Sequence, residues 1–358
     1  MRSRFDFSTN IILGSDGFVP LSTGTEIRGI VTDMDRREAI STITGMGLAF
    51  TGKAETTSNQ MQYRQFGKTG EKVSAIGVGG YHIGLTKDPQ VGIRIVREAL
   101  DNGVNFLDNC WDYNGGESEI RMGQALRDGY RQKAFLMTKF DGRTKKAATE
   151  QIEESLKRLQ TDHIDLIQLH ENIRMEDPDR FFAPGGAHEA MLEAKKAGKV
   201  RYFGFTGHKD PSIHLRMLEE AAKNSFHFDA CQLPLNPFDA QFRSFQHQVV
   251  PVLVNMAIAV LGMKSMGDGL LLKSGVVNPV ECLRYALSLP TSTVIIGCES
   301  LDILNQSLHV ARTFQPMSEA EQRALLAKAK APALTGRFEP FKTTAQFDGT
   351  AANPQWLG

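Results

Sequence analysis

The 358-residue chain has no excess of either charge: 41 Lys+Arg stand against 41 Asp+Glu. A protein that grips duplex nucleic acid needs a basic excess or face to neutralise phosphates, and no basic run supplies one, so no nucleic-acid partner is expected. Cysteine is scarce. The four present, Cys110, Cys231, Cys282 and Cys298, form neither C-x-x-C nor a Cys/His ligand spacing. No metal centre is therefore expected, and they read as small buried side chains rather than a disulfide framework. Long apolar runs are missing too: none approaches the ~20 residues that span a bilayer, so no membrane partner is expected. Also missing is the G-x-G-x-x-G that an open nucleotide-binding sheet places after its first strand. The corresponding stretch here, "GVGGYHIG" (77–84), is spaced differently.

What remains is a chain with 41% hydrophobic residues, enough for a substantial core in one large barrel or two ordinary domains. Residues 1–33 show no sustained periodicity. Arg36-Arg37 then precede a short apolar stretch, Ala39 to Phe50, and Gly52-Lys53-Ala54. That is the order of an export signal, and the Arg pair suggests the twin-arginine route. The alternative is an N-terminal arm with a chance Arg pair, so the compartment is either periplasmic or cytoplasmic. Residues 1–60 stand outside the fold argument either way.

From Met61 short apolar runs alternate with amphipathic stretches. The runs are "VSAIGVGG" (73–80), "NFLDN" (105–109), "AFLMTKF" (134–140), "IDLIQLH" (164–170), "VRYFGFTGH" (200–208), "FDACQLPLN" (228–236), "IAVLGMKSM" (258–266) and "STVIIGCES" (292–300). Helical patterns follow each: 89–103, 117–132, 147–162, 186–199, 211–225, 241–256, 278–290 and 301–314. Near-continuous apolar strands suit burial on both faces, hence parallel pairing under helices. Eight such units predict an α/β fold, a (β/α)₈ barrel over 61–331. Asp88-Pro89 and Asp210-Pro211 offer an acid at the N-cap and Pro at the first helical position. Gly103 and Gly198 stand where left-handed C-terminal caps are wanted. Ser318 with Glu321 forms a capping box for an extra C-terminal helix, 316–331. Residues 332–358, with Phe338, Phe341, Phe347 and Trp356, read as an irregular arm over the barrel.

Active sites of such barrels lie at the C-terminal ends of the strands. Four polar residues fall there on neighbouring strands: Asp108 ends the second, Tyr113 follows in its loop, Lys139 is on the third and His170 ends the fourth. Each alone has a mundane explanation: a cap, a packing ring, a solvent-seeking ammonium, a satisfied core imidazole. Together they make chemical sense. A phenol titrates near ~10, and a cation held close lowers that value. Lys139 can be that cation, Asp108 can fix it, and His170 can orient a substrate oxygen. The phenol would then protonate a carbonyl oxygen while a hydride arrives at carbon.

At this point the sequence resembles the aldo-keto reductases over about 61–330. "YRQFGKTGEKVSAIGVGG" is similar to the family's opening β-hairpin and first strand, and "FLDNCWDYNGGESE" to its Asp-x4-Tyr segment. "LMTKF", "IDLIQLH", "GMKSMGDGLL" and "STVIIGCESLDIL" follow in order. The resemblance implies Asp108, Tyr113, Lys139 and His170 as catalytic residues, and a nicotinamide dinucleotide, NAD(P)H, held at the barrel mouth. It implies cofactor contacts from Gly79, Gly80 and Tyr81, from Gln232 toward the nicotinamide carboxamide, from Met263 and Lys264, and from Gly297, Glu299 and Ser300. The fifth strand departs from the family's Ser-Asn: Thr206 can replace the serine hydroxyl, Gly207 cannot replace the asparagine, and His208 or a water would fill that role. Glu299 would repel a 2′-phosphate but accept from a ribose hydroxyl, which leans toward NAD(H); Lys264 could still reach a phosphate. The expected activity is reduction of an aldehyde, ketone or sugar, or the reverse oxidation. The alternatives are a redox-sensing or regulatory subunit on the same fold and a metal-dependent hydrolase, for which His170 and His208 are too few ligands. Substrate choice would lie in loops 171–187 and 265–277 and in the tail. Trp111, Phe181 and Phe182 are read either as pocket lining or as ordinary packing.

Overall fold

The structure, a computed structural model, describes residues 60–358; the Arg36-Arg37 segment lies outside them. Tyr63–Gln65 (β1) and Lys72–Ser74 (β2) pair antiparallel as a hairpin. Eight parallel strands then close a barrel: Ile76–Gly79 (β3), Phe106–Asp108 (β4), Phe135–Phe140 (β5), Ile164–Leu169 (β6), Val200–Thr206 (β7), Ala230–Pro234 (β8), Ala259–Met263 (β9) and Thr293–Gly297 (β10). Every residue of β4, β5 and β6 is buried, as strands covered on both faces require. The expected (β/α)₈ barrel with its N-terminal hairpin and extra C-terminal helix is the observed fold.

The anticipated helix signals are in place. The Asp88 and Asp210 side chains accept from the backbone N–H of Gln90 and Ser212, each beside a Pro. Ser318 and Glu321 close their capping box on the helix Glu319–Ala333, and Asn278 with Glu281 forms a second that the sequence reading overlooked.

Three elements differ from expectation. The run 73–80 divides, because Val73 and Ser74 belong to the hairpin and β3 begins at Ile76. β3 then passes straight into a helix, Gly80–Leu85. Gly80 permits this: a Cβ there would lie 2.7 Å from the Asn109 side chain. The pattern 117–132 is helical only over Glu117–Ala125, since Asp128 and Gly129 take φ of 59° and 84° and turn the chain away. The pattern 241–256 breaks into Phe245–Gln248 and Val250–Asn255. Pro251, with no N–H to give, falls where a continuous helix would need one. The C-terminal tail is less irregular than expected, with short helical turns at Pro340–Thr343, Gly349–Ala352 and Pro354–Leu357.

Candidate active site

Strand register places the polar residues on one rim. Asp108 pairs across from Gly79, Lys139 from Gln168, and Thr206 from Gln232. Lys139 and Asp108 are 1% and 3% exposed. All three ammonium donors are used: the Lys139 Nζ donates to Asp108 Oδ1, to the Asn109 carbonyl at 2.8 Å and to the Tyr113 hydroxyl at 3.2 Å. The other Asp108 oxygen accepts from Gln232 Nε2 at 2.7 Å. A continuous chain thus runs Gln232–Asp108–Lys139–Tyr113 across the barrel. A buried ammonium and carboxylate persist because each is paired and their remaining hydrogen-bonding sites are filled.

The loop after β4 folds back by stacking left-handed residues: Asn114, Gly115 and Gly116 have φ of 54°, 63° and 92°. Gly116 is needed twice over, since a Cβ there would also lie 2.5 Å from the Arg158 guanidinium carbon. Asn114 ties the loop to the Tyr81 carbonyl and Ser118. The Tyr113 ring meets Tyr81 edge-on at 5.4 Å and His170 at 5.8 Å. One electrostatic expectation is corrected. Burial first, and then the Asp108 carboxylate, push the Tyr113 phenol well above its ordinary value of 10 rather than below it. The pairing that fixes Lys139 also spends its charge on Asp108, so the phenol rests protonated.

Around His170 the structure adds residues that sequence reasoning missed. Asp141, one residue past β5, has Oδ1 2.9 Å from His170 Nδ1. The Cys110 sulfur is 3.2 Å from the same nitrogen and Asp112 Oδ1 is 3.6 Å away. Cys110 is buried, as expected of a small side chain, but it lies inside the candidate site. The four donor atoms lie within 4.8 Å of one another, and the ring nitrogen is already hydrogen-bonded to Asp141. Asp112 directly precedes Tyr113 and Asp141 follows Lys139 by two residues, but spacing alone does not show that they meet one nitrogen.

The remaining candidates divide. Gln232 reaches the rim, yet its Nε2 is committed to Asp108 and only Oε1 is left without a partner. Thr206 lies beside Met263, Oγ1 to Sδ 4.0 Å. Next to it Asn172, fully buried, donates to the Thr206 carbonyl at 2.8 Å and leaves Oδ1 unpartnered. Gly297 ends β10 opposite Gly79; Ser300 caps the helix Leu301–Arg312. Glu299 is largely exposed and lines a cleft of about 430 Å³ with Leu85, Thr86, Lys87, Asp88 and Val91. Two residues are held by the tail. His208 Nε2 lies 3.1 Å from Asp348. The Lys264 ammonium has no ion-pair or hydrogen-bond partner among the described residues; its Nζ sits over the Phe341 and Phe347 rings at 5.2 and 4.9 Å. The tail is anchored further by Glu171, which accepts from the Gly349 and Thr350 N–H groups at 2.8 and 2.7 Å.

Phe181 and Phe182 are packing residues, not pocket lining: both are buried, and Phe181 stacks on Phe228 at 5.9 Å while Phe182 meets Phe226 edge-on at 5.5 Å. Trp111 is pinned at the rim, its ring against Trp356 at 5.6 Å and its Nε1 donating to Glu154.

A closed parallel barrel whose rim joins a tyrosine to a buried lysine–aspartate pair defines a class of barrel oxidoreductases. Residues 75–281 match the model of the Aldo/keto reductase family, and the chain belongs to that family. It is 33% identical over 226 residues to the aldo-keto reductase YhdN of Bacillus subtilis, 59% of this chain and 64% of that one. It is 32% identical over 160 residues to the L-galactose dehydrogenase of Arabidopsis thaliana, 41% of this chain and 49% of that one. Among solved structures, the holo form of aldo-keto reductase AKR11C1 from Bacillus halodurans superposes with a TM-score of 0.64 at 25% identity, covering 78% of this chain and all of that one.

Proposed function

We propose that this chain is an NAD(P)-dependent carbonyl reductase, working in either direction between a carbonyl and its alcohol. The observation that carries this is the buried Gln232–Asp108–Lys139–Tyr113 chain, which leaves one phenolic proton at the mouth of the barrel. A bound nicotinamide dinucleotide would supply the hydride. The protein's part is to hold the carbonyl oxygen against the Tyr113 hydroxyl and to give it that proton as negative charge develops. The phenolate left behind is stabilised by Lys139 at 3.2 Å and regains a proton from solvent. His170, whose ring meets Tyr113 edge-on at 5.8 Å, would orient the substrate oxygen beside that hydroxyl.

The residues present suit such a cofactor. Gln232 Oε1 and Asn172 Oδ1 are buried acceptors without partners, suited to a carboxamide NH₂. Asn172, on the loop beside β7, takes the place that Gly207 leaves open. At the other end, exposed Glu299 can accept from a ribose hydroxyl, and Lys264 is engaged by two aromatic rings. Both favour NAD(H) over NADP(H). The experiment is a panel of aldehydes, ketones and sugars assayed with NADH and NADPH side by side, on the wild type and Tyr113→Phe. Turnover lost in Tyr113→Phe with cofactor binding retained is the expected result. A Phe variant that keeps most of its activity would remove the mechanism.

A further inference from the structure

Resting on the carbonyl-reductase reading, we infer that Asp141 and Asp112 are positioning residues that keep the His170 ring doubly protonated, so that Nδ1–H is held by Asp141 while Nε2–H is free to donate to the substrate oxygen.

The argument begins with which nitrogen is surrounded. Asp141 Oδ1 at 2.9 Å, Cys110 Sγ at 3.2 Å and Asp112 Oδ1 at 3.6 Å all crowd Nδ1. Nε2 has no partner among the described residues. A neutral imidazole has one N–H. If that hydrogen sits on Nδ1, facing Asp141, Nε2 offers only a lone pair and cannot donate to a carbonyl. If it sits on Nε2, the Nδ1 lone pair faces an ionised carboxylate at hydrogen-bond distance. The imidazolium satisfies both nitrogens at once.

Charge balance points the same way. Asp141 is fully buried with Oδ2 unpartnered, and Asp112 Oδ1 is buried and unpartnered as well. Two such carboxylates need a cation. The other charged groups nearby are spent elsewhere. Arg143 donates to the His170 backbone carbonyl but pairs with Asp177. Lys139 pairs with Asp108. Glu171, on the loop of His170 itself, adds a further negative charge and binds the tail. Tyr113 is uncharged. Burial pulls the His170 ring down, but the Asp112 and Asp141 carboxylates outweigh it and hold it above its ordinary value of 6.5. Burial conversely raises Asp112 to about 6, against the pull of His170.

Asp141 is also fixed in place. Gln151 Oε1 accepts from the Asp141 and Gly142 N–H groups at 2.8 Å, and Arg143 Nη1 donates to the Asp141 carbonyl at 2.7 Å. The carboxylate is therefore delivered by a rigid loop, which is what a positioning residue requires.

The test is ¹⁵N NMR of the side chains of the nine histidines, with His170 assigned from a His170→Asn variant. In the wild type the His170 signal should be that of an imidazolium through neutral pH. In Asp141→Asn it should become a neutral tautomer there, while Asp141→Glu should restore the charged form. Asp112→Asn, at a half-buried position, should lower the midpoint by less, and it stands in for Asp141→Asn if that variant does not fold. Reduction of 4-nitrobenzaldehyde should fall about ten- to a hundred-fold in kcat/KM for Asp141→Asn, the range for losing one charge-assisted hydrogen bond. The loss should shrink toward acid pH, where the ring protonates unaided; a merely structural defect would show no such recovery. A wild-type His170 that is neutral at neutral pH, a midpoint unmoved in both Asp variants, or a stoichiometric metal ion bound at Nδ1 would each overturn the inference. The NMR outcome needs no turnover, so it is separate from the Tyr113→Phe result that decides the reductase reading.

Discussion

At the N-terminal end of the barrel the rings of Phe66, Phe106, Phe135 and Tyr202 fill the interior, with Phe66–Phe135 centroids 4.9 Å apart and Phe106 stacked on Phe135 at 5.4 Å. At the C-terminal end the interior is Asp108, Lys139, Asp141 and His170, all at or below 8% exposure. The same eight strands thus hold an apolar plug below and a charged rim above. The hairpin closes the lower end: a Cβ at Gly67 would lie within 3 Å of the Ala257 carbonyl and the Ala259 nitrogen, so the tip is pressed against the start of β9. At the upper end the tail packs against Glu171, His208 and Lys264. The difference teaches where stability and chemistry are separable. The plug contributes by burial and has no polar function; the rim holds groups that only pairing makes tolerable.

The strongest way to break that division is Lys139→Met. It removes the cation that both Asp108 and Tyr113 use and leaves a buried carboxylate with only Gln232. We expect kcat/KM for carbonyl reduction to fall by about a hundred-fold or more, with cofactor affinity, measured by fluorescence quenching, changed little. Substantial residual turnover would mean the phenol does not rely on this ammonium.

Phe66→Ala tests the lower end. Phe66 is fully buried against three rings, so its loss should cost about 3–5 kcal/mol, read as a lower midpoint in urea. Turnover per folded molecule should be unchanged. A fall in activity without a fall in stability would show that the two ends are coupled.

The rim residues that were legible in the sequence share one property: each lies near the C-terminal end of a strand or in the loop after it, so the strand pattern and the usual site of barrel chemistry together brought out Asp108, Tyr113, Lys139 and His170. The barrel was legible because eight short, near-continuous apolar runs alternate with helical patterns. Other features were hidden because they depend on closure. That Asp112 and Asp141 meet one histidine nitrogen is a fact about two loops in space. Phe181 and Phe182 were ambiguous until Phe226 and Phe228 were found against them. The tail's hold on His208 and Lys264 spans more than seventy residues of chain in each case, and no local pattern announces it.

Glu119 gives a subtler boundary case, a rim-side carboxylate with a stability role. It is fully buried in the first turn of Glu117–Ala125, accepting from Thr138 Oγ1 at 2.6 Å and from Arg158 at 3.5 Å. Burial raises it from 4.5 to about 7, although Thr138 and Arg158 pull the other way. A folded-state value above the unfolded one means the native state binds the extra proton. Its stabilising effect is complete below the unfolded value and is lost as pH rises through about 7. Glu119→Gln should therefore flatten the fall in stability between mildly acid and mildly alkaline pH by about 1–3 kcal/mol, seen in urea titrations at several pH values. An unchanged pH slope would mean the carboxyl is ionised throughout.

The smallest effect expected is at the tail. Asp348 binds His208 at 3.1 Å and Lys209 at 2.8 Å, and burial, which would raise it, is outweighed by these two partners, so its carboxyl lies below the ordinary range. Asp348→Asn keeps the shape and removes the charge. The helical turn that follows still has Glu171 accepting from Gly349 and Thr350, so the tail should loosen rather than detach. A loss of about 1 kcal/mol is expected, appearing as faster hydrogen exchange at the amides of residues 348–353 with the melting of the barrel almost unmoved. Because Phe341 and Phe347 lie over Lys264, the same variant reports on the rim. If the tail only covers the mouth, exchange rises and cofactor affinity stays. If it holds Lys264 away from a phosphate, loosening it should improve NADPH relative to NADH, and that ratio would place part of the proposed preference for NAD(H) in the tail.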